Sequence, residues 1–181
     1  MSPPRRADAT ENRKRIVDAA RAALADSDDV HLNAIAKRAG VGQATLYRNF
    51  PTREDLLAEV YRQDVNELVA AAHTLVAEHE PLAALELWFD ELVGYGRVKR
   101  GVLAAVEAAT WRALADDSHP PISDAVTLLL DAGKAAGSVR DDVDARDVIL
   151  LIGYLARLHD AEWDTRARHL LALILDGLRT R

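Results

Sequence analysis

An all-α chain in two parts is what this sequence predicts, and three observations carry that expectation. Ala and Leu dominate its 181 residues, of which 49% are hydrophobic, while Gly (9) and Pro (6) are sparse; such a composition favours helices. Apolar residues recur with the i, i+3, i+4, i+7 spacing of a helix that buries one face. Capping and breaking residues cut this pattern into about nine segments. The expected organisation is a flexible arm (residues 1–9), a compact three-helix head (10–55) and a larger helical body (56–181) entered by one long helix.

Composition also excludes classes of function. No apolar run reaches the roughly 18 residues of a membrane span, and the polar N-terminus lacks a signal-peptide core, so a cytoplasmic protein with no membrane partner is expected. The chain has no cysteine, which removes disulfides and thiolate metal sites. Gly40-Val41-Gly42 and Gly94-Tyr95-Gly96 lack the strand-to-helix setting and the third glycine of a dinucleotide site. No HExxH motif is present, and His73 and His79, six apart, do not share a helix face. His159 with Asp160, or Glu162 with His169, has no spacing that separates an acid–base pair from ordinary surface. No catalytic residue, metal or cofactor is therefore expected.

The net charge of −6 argues against nucleic acid, but its distribution argues for it. Residues 1–50 carry nine Lys/Arg against six Asp/Glu, and residues 51–181 fourteen against twenty-three. A basic head on an acidic body suits a DNA-binding part joined to a separate effector part; chance clustering of solvated charge is the alternative.

In order along the chain, Pro3, Pro4, Arg5 and Arg6 cannot build a core but can lie along phosphates, or simply fray. The first helix, residues 10–25, sets Ile16, Ala19, Ala20, Ala23 and Leu24 along one stripe. Arg13, Lys14 and Arg15 fall near its expected start, where the dipole favours acids; an external anion or a solvated basic turn accounts for them. Residues 26–29 read as a loop. The second helix places Leu32, Ile35, Ala36 and Ala39 on one face, and Gly40 suits the left-handed position after its end.

The third helix, from Gln43 to Phe50, has only Leu46 and Phe50 to bury, with Val41 at its mouth. Gln43, Thr45, Tyr47, Arg48 and Asn49 have no core to enter. Two helices joined by a short Gly-containing turn form a helix-turn-helix, whose second helix fits a DNA major groove. Groove reading explains a helix too polar to bury and too short to stand alone. Pro51 ends it at Phe50. Thr52 caps the fourth helix, with Asp55 at the reciprocal position; Leu56, Val60, Leu68, Ala72, Leu75 and Val76 carry its stripe to about residue 79.

Pro81 suits the first position of a fifth helix, bearing Leu82, Leu85, Trp88, Phe89, Leu92 and Val93 and broken at Gly94-Tyr95-Gly96. A sixth helix is expected over 98–115, a loop over 116–121, and a seventh helix over 122–136 closed by Gly137. Asp144 caps an eighth, residues 145–159, and a ninth spans 165–178. These last two are apolar over more than the ~100° stripe that one core face needs. A second copy of the chain is an economical second partner, with Leu151, Ile152, Leu155, Leu158, Leu170, Leu173, Ile174 and Leu178 as the seam. A central position within one subunit is the alternative.

The run IAKRAGVGQATLYRNFPTREDLL resembles the signature of the TetR (tetracycline-repressor-type) family of bacterial transcriptional regulators. The match covers residues 10–61, about a third of the chain; beyond it only helix content and order are similar. Two positions depart: His31 stands where the family usually has a Ser or Thr cap, and Gln43-Ala44 replaces a common Ser/Lys-Gly pair. The resemblance implies a homodimer built on a four-helix bundle of the last two helices, with recognition helices roughly 34–36 Å apart on an inverted-repeat operator in double-stranded DNA. It implies DNA contacts from His31, Asn33, Lys37, Gln43, Ala44, Thr45, Tyr47, Arg48, Asn49 and Arg53. Gln43 leads for base edges, followed by Arg48 or Asn49, and the Ala44 methyl suits a thymine. Thr45, Tyr47, Lys37 and Arg53 suit phosphates, and His31 and Asn33 either. For each, and for Arg38, a solvated helix face is the alternative.

The family also implies a small-molecule effector in the body that displaces the fourth helix and releases a repressor. Trp88, Phe89, Tyr95, Trp111 and Tyr154, with Glu107, His119 and Arg157 as polar contacts, are the candidate pocket; plain core packing is the alternative. The expected function is sequence-specific DNA-binding transcriptional regulation. A helical protein-interaction module with a vestigial DNA head is the alternative.

Overall fold

The computed structural model describes residues 4–26 and 31–180. The described residues form eight α-helices: α1 (Pro4–Asp26), α2 (Leu32–Ala39), α3 (Gln43–Asn49), α4 (Arg53–Glu78), α5 (Pro81–Ala105), α6 (Ala108–Ala135), α7 (Ala145–Gly153) and α8 (Trp163–Leu178). Two 3-10 turns, Tyr154–Arg157 and Asp160–Glu162, lead from α7 to α8. Among the described residues, strand-like pairing is limited to an isolated bridge between Val139 and Arg179, and no helix is long and apolar enough to cross a membrane. The helices fall into two compact units, one from residues 1–63 and 97–114, the other from 64–96 and 115–181.

In the first unit the stripes expected from periodicity go inside. Ile16, Val17, Ala20 and Leu24 of α1 are buried, as are Ile35 and Ala36 of α2, Leu46 of α3 with Phe50 beyond it, and Leu56, Leu57, Val60 and Tyr61 of α4. Gly40 takes the left-handed conformation (φ 65°). The Val41 N–H then reaches back to Ala36 O at 3.0 Å, the long-range bond of a Schellman stop. Phe50 leaves the helical region (φ −137°, ψ 95°), as the proline after it requires. Thr52 Oγ1 accepts from the Asp55 N–H at 3.0 Å and Asp55 Oδ2 from the Thr52 N–H at 3.2 Å, a complete capping box.

α1 begins at Pro4, so residues 4–9, expected as an arm, are helical. Proline is tolerated at a first helical position because its missing N–H has no partner there anyway. Arg13, Lys14 and Arg15 consequently sit inside the helix rather than at its start, and the dipole argument for an external anion lapses. Of the expected loop, Asp26 closes α1, and residues 27–30 lie outside the described residues.

In the second unit two expected breaks are absent. α5 runs straight through Gly94-Tyr95-Gly96, and α6 straight through Pro120 and Pro121; the gap between them falls at Val106 and Glu107. Gly96 is there for room: a Cβ would lie 2.7 Å from Trp163 Cη2 and nearer still to Cζ2. The Trp163 indole N–H donates to Val93 O at 3.1 Å. The two prolines cannot serve the carbonyls of Asp116 and Asp117, four residues earlier. Both aspartates are exposed, so water can take those bonds. Merging these segments turns nine expected helices into eight.

Asp144 and Asp147 form a reciprocal capping box on α7, both bonds 3.0 Å. α7 ends at Gly153 and tightens into a 3-10 turn, short of residue 159, while α8 begins at Trp163, two residues early. Trp88, fully buried, donates its indole N–H to Leu68 O at 2.9 Å and joins α5 to α4.

Candidate nucleic-acid interface

α3 is seven residues long and is anchored by Leu46 and Phe50, each 1% exposed. Gln43, Ala44, Tyr47 and Arg48 are exposed, Tyr47 to 47%, while Thr45 and Asn49 are half-buried. On α2 and its cap, His31, Asn33 and Lys37 are exposed; Arg53, at the start of α4, is half-buried. His31 stands at the N-cap of α2 and makes no side-chain capping bond there.

The exposed groups are not independent. Gln43 Nε2 donates to Asn33 Oδ1 at 3.0 Å, bridging the first turns of α3 and α2. Arg48 Nη2 donates to Thr45 Oγ1 at 3.1 Å, laying the guanidinium along its own helix. Asn49 Nδ2 donates to Thr45 O at 2.8 Å, which turns that amide inward.

Two arginines that position this surface were legible only as a misplaced basic cluster. Arg15 Nε donates to Ala39 O (3.0 Å) and Nη2 to Gly40 O (2.9 Å). Arg13 Nη1 donates to Asn49 O at 3.2 Å, its guanidinium carbon lies 4.3 Å from the Phe50 ring centroid, and Nη2 pairs with Glu59 at 3.1 Å. Each puts a cation at the carbonyl end of a short helix, where the dipole is negative. Arg13 and Arg15 of the basic cluster thus find their partners within the protein, in backbone carbonyls and the Glu59 carboxylate.

Trp88, Phe89 and Tyr95 are buried in the second unit and Tyr154 is exposed there, with Arg157 5.1 Å over its ring. Glu107 and Trp111 belong to the first unit. There Trp111 meets Tyr61 edge-on at 5.3 Å, with the Lys99 ammonium 5.7 Å from its ring. Burial lowers the Lys99 pKa below its ordinary value of 10.5. His119 is exposed. A cavity of about 390 Å³ lies elsewhere, lined by Lys134, Gly137, Val139, Arg140, Asp141, Asp142, Arg179 and Thr180; it is built from a turn and a chain end, with no aromatic to announce it.

Of the candidate seam, Leu151 and Leu173 are each 54% exposed, Ile152, Leu158, Leu170 and Ile174 are half-buried, and Leu155 and Leu178 lie in the intrachain core. Leu150 (65%) and Tyr154 (69%) extend the exposed apolar surface.

Residues 16–60 match the bacterial regulatory proteins of the tetR family, and residues 80–180 match the C-terminal domain of SbtR-like transcriptional regulators. A TetR transcriptional regulator of Streptomyces coelicolor is 37% identical, over 92% of this chain and 98% of that one, with a TM-score of 0.80. A TetR transcription regulatory protein of Mycobacterium vanbaalenii is 30% identical over 98% and 100%, with a TM-score of 0.78. An HTH-type transcriptional regulator of Staphylococcus aureus is 29% identical over 106 residues, and the match spans 57% of that protein's length and of this chain's. With both halves matched and the structural likeness running nearly end to end, this chain belongs to the TetR family of bacterial transcriptional regulators.

Proposed function

We propose that two copies of this chain bind an inverted-repeat operator in double-stranded DNA and regulate transcription there, as a cytoplasmic repressor that a small-molecule effector releases. The outward face of α3 carries the reading. Gln43, Ala44, Tyr47 and Arg48 are exposed on a helix that its neighbours bury only through Leu46. Donors, acceptors and a methyl group at successive positions are what base edges in a major groove require. Gln43 and Arg48 read bases, and Ala44 meets a thymine methyl. Tyr47, Thr45, Lys37 and Arg53 hold phosphates, with His31 and Asn33 beside them. Asn49, its amide already given to Thr45 O, contributes less to readout than the other two polar readers.

Residues 10–55 serve as the DNA-binding head, and residues 56–181 carry effector binding and dimerisation. Leu150, Leu151, Tyr154 and Leu173, all large, apolar and more than half exposed, support an interface with a second copy. An effector in this second part acts by displacing α4; a coupling of about 1–3 kcal/mol gives roughly a 5–150-fold loss of operator affinity.

The test is a binding titration of the full chain against the promoter DNA beside its own gene, repeated over a range of salt. Binding that weakens steeply with salt, at two chains per site, is expected. Absence of salt-dependent binding to that DNA, or to any duplex selected from a random pool, overturns the proposal.

A further inference from the structure

We propose that Asn33 sets the base preference of α3 by holding the Gln43 amide, and that the base so selected is adenine. This rests on the reading of α3 as the base-reading helix. Gln43 is an exposed, long side chain at the start of its helix, a position where several rotamers would otherwise compete. The bond from Gln43 Nε2 to Asn33 Oδ1, 3.0 Å across two helices, selects among them.

That bond also decides what the amide has left to offer. A glutamine amide carries two N–H donors and one carbonyl acceptor. With one N–H committed to Asn33, one donor and the acceptor Oε1 remain. In the major groove adenine presents an acceptor, N7, and a donor, the N6 amino group, whereas guanine presents two acceptors, N7 and O6. A held amide therefore matches adenine at both atoms, and on guanine it sets its oxygen against an oxygen. A released amide can turn its oxygen away and donate an N–H to N7 or O6 of guanine. Asn33 needs to touch no base for this; it is a positioning residue, on α2, acting through its acceptor oxygen.

The experiment starts from duplexes selected out of a random pool by the full wild-type chain. The affinity ratio of adenine over guanine is then measured at each half-site position for wild type, Gln43→Ala, Asn33→Ala and Asn33→Asp, at one salt concentration. Wild type should prefer adenine on the order of ten-fold or more at one position, the size of one good bidentate contact. Gln43→Ala should abolish that preference, and Asn33→Ala should bring it to within about two-fold at the same position. Asn33→Asp should retain it, because a carboxylate oxygen accepts the same N–H. Its added charge lowers all affinities together and cancels in the ratio. A wild-type ratio in Asn33→Ala, a loss at a different base position, or failure of Asn33→Asp to retain the preference each overturns the proposal while leaving α3 as the reader. A Gln43→Ala chain with the wild-type preference overturns the reading of α3 at Gln43 itself. Thermal unfolding of each variant, expected within a few degrees of wild type for these exposed positions, confirms that ratios come from folded protein.

Discussion

Arg15 closes the end of α2 from outside it. Its two bonds to Ala39 O and Gly40 O give carbonyls without a following helical turn a charged donor, and they fix α1 to the turn that launches α3. Hydrogen bonds from a charged group and its favourable place at a helix C-terminus together suggest that Arg15→Met costs about 1–2 kcal/mol. A urea melt should show the midpoint falling with its slope unchanged; an unmoved midpoint removes Arg15 from the structural account. Lys99 makes a different prediction. Because burial depresses its pKa, the folded chain gives up a proton that the unfolded chain keeps between the folded value and 10.5. Stability must therefore rise with pH through that window. Replacing Lys99 with Met should flatten this rise when the variant's melts across alkaline pH are compared with wild type, and parallel curves would refute it. At this scale the sequence was half legible. The apolar anchors Leu46 and Phe50 and the caps Gly40, Thr52 and Asp144 follow from local rules, so they were readable. The roles of Arg13, Arg15 and Asn33 depend on partners 10 to 46 positions away, which no local pattern specifies.

Two of the element boundaries expected from glycine and proline, at Gly94-Gly96 and at Pro120-Pro121, are absent, and the reason is tertiary. Gly94 and Gly96 look alike in the sequence, as two halves of a helix break, yet both are helical in α5 and only one has a packing partner. A Cβ at Gly96 runs into Trp163, whereas nothing lies within 4 Å of one at Gly94. The two positions should then respond in opposite directions to the same change. Gly94→Ala should stabilise the chain by about 0.5–1 kcal/mol, the ordinary gain in a helix interior. Gly96→Ala should lose about 1–3 kcal/mol, the usual penalty of forcing atoms into a packed site, and shift the fluorescence of Trp163. Equal effects on the thermal midpoint would mean that the indole does not rest on this glycine. The same lesson applies to Pro120 and Pro121. They were read as a loop because a proline interrupts helical bonding, but the carbonyls it strands belong to exposed aspartates and need nothing from the protein. Where the cap was local and reciprocal, as at Thr52 and Asp55, sequence and structure agree to the residue.

At the scale of the whole chain, the basic head and the doubly apolar C-terminal helices were legible because both are sums over many residues and survive errors in any one. What was not legible is which leucines of α7 and α8 turn outward. The chain tightens to 3-10 after Gly153, which changes the angular step between side chains and leaves Leu155 inside while Leu150, Leu151 and Tyr154 face out. That distinction locates the decisive test of assembly. Lysine at Leu151 or Leu173 places a charge on the exposed face without entering the core, whereas lysine at Leu155 would disturb the fold and say nothing about association. Leu151→Lys with Leu173→Lys should therefore shift the chain from dimer to monomer in sedimentation while far-UV circular dichroism stays the same. The physical consequence for DNA is large, since a dimer engages its second half-site at the high effective concentration set by the first. The monomer should lose at least about ten-fold in affinity for an inverted repeat but little for a single half-site. Its salt dependence should shrink as well, because each half-site contributes its own phosphate contacts and each contact lowers the logarithmic slope by roughly 0.9. Replacing Lys37 or Arg53 alone should instead reduce the slope by about that amount per subunit and leave the dimer whole. If the doubly substituted chain remains dimeric, the interface lies elsewhere on the molecule; if it becomes monomeric and binds the full operator unchanged, two reading heads are not what the operator requires.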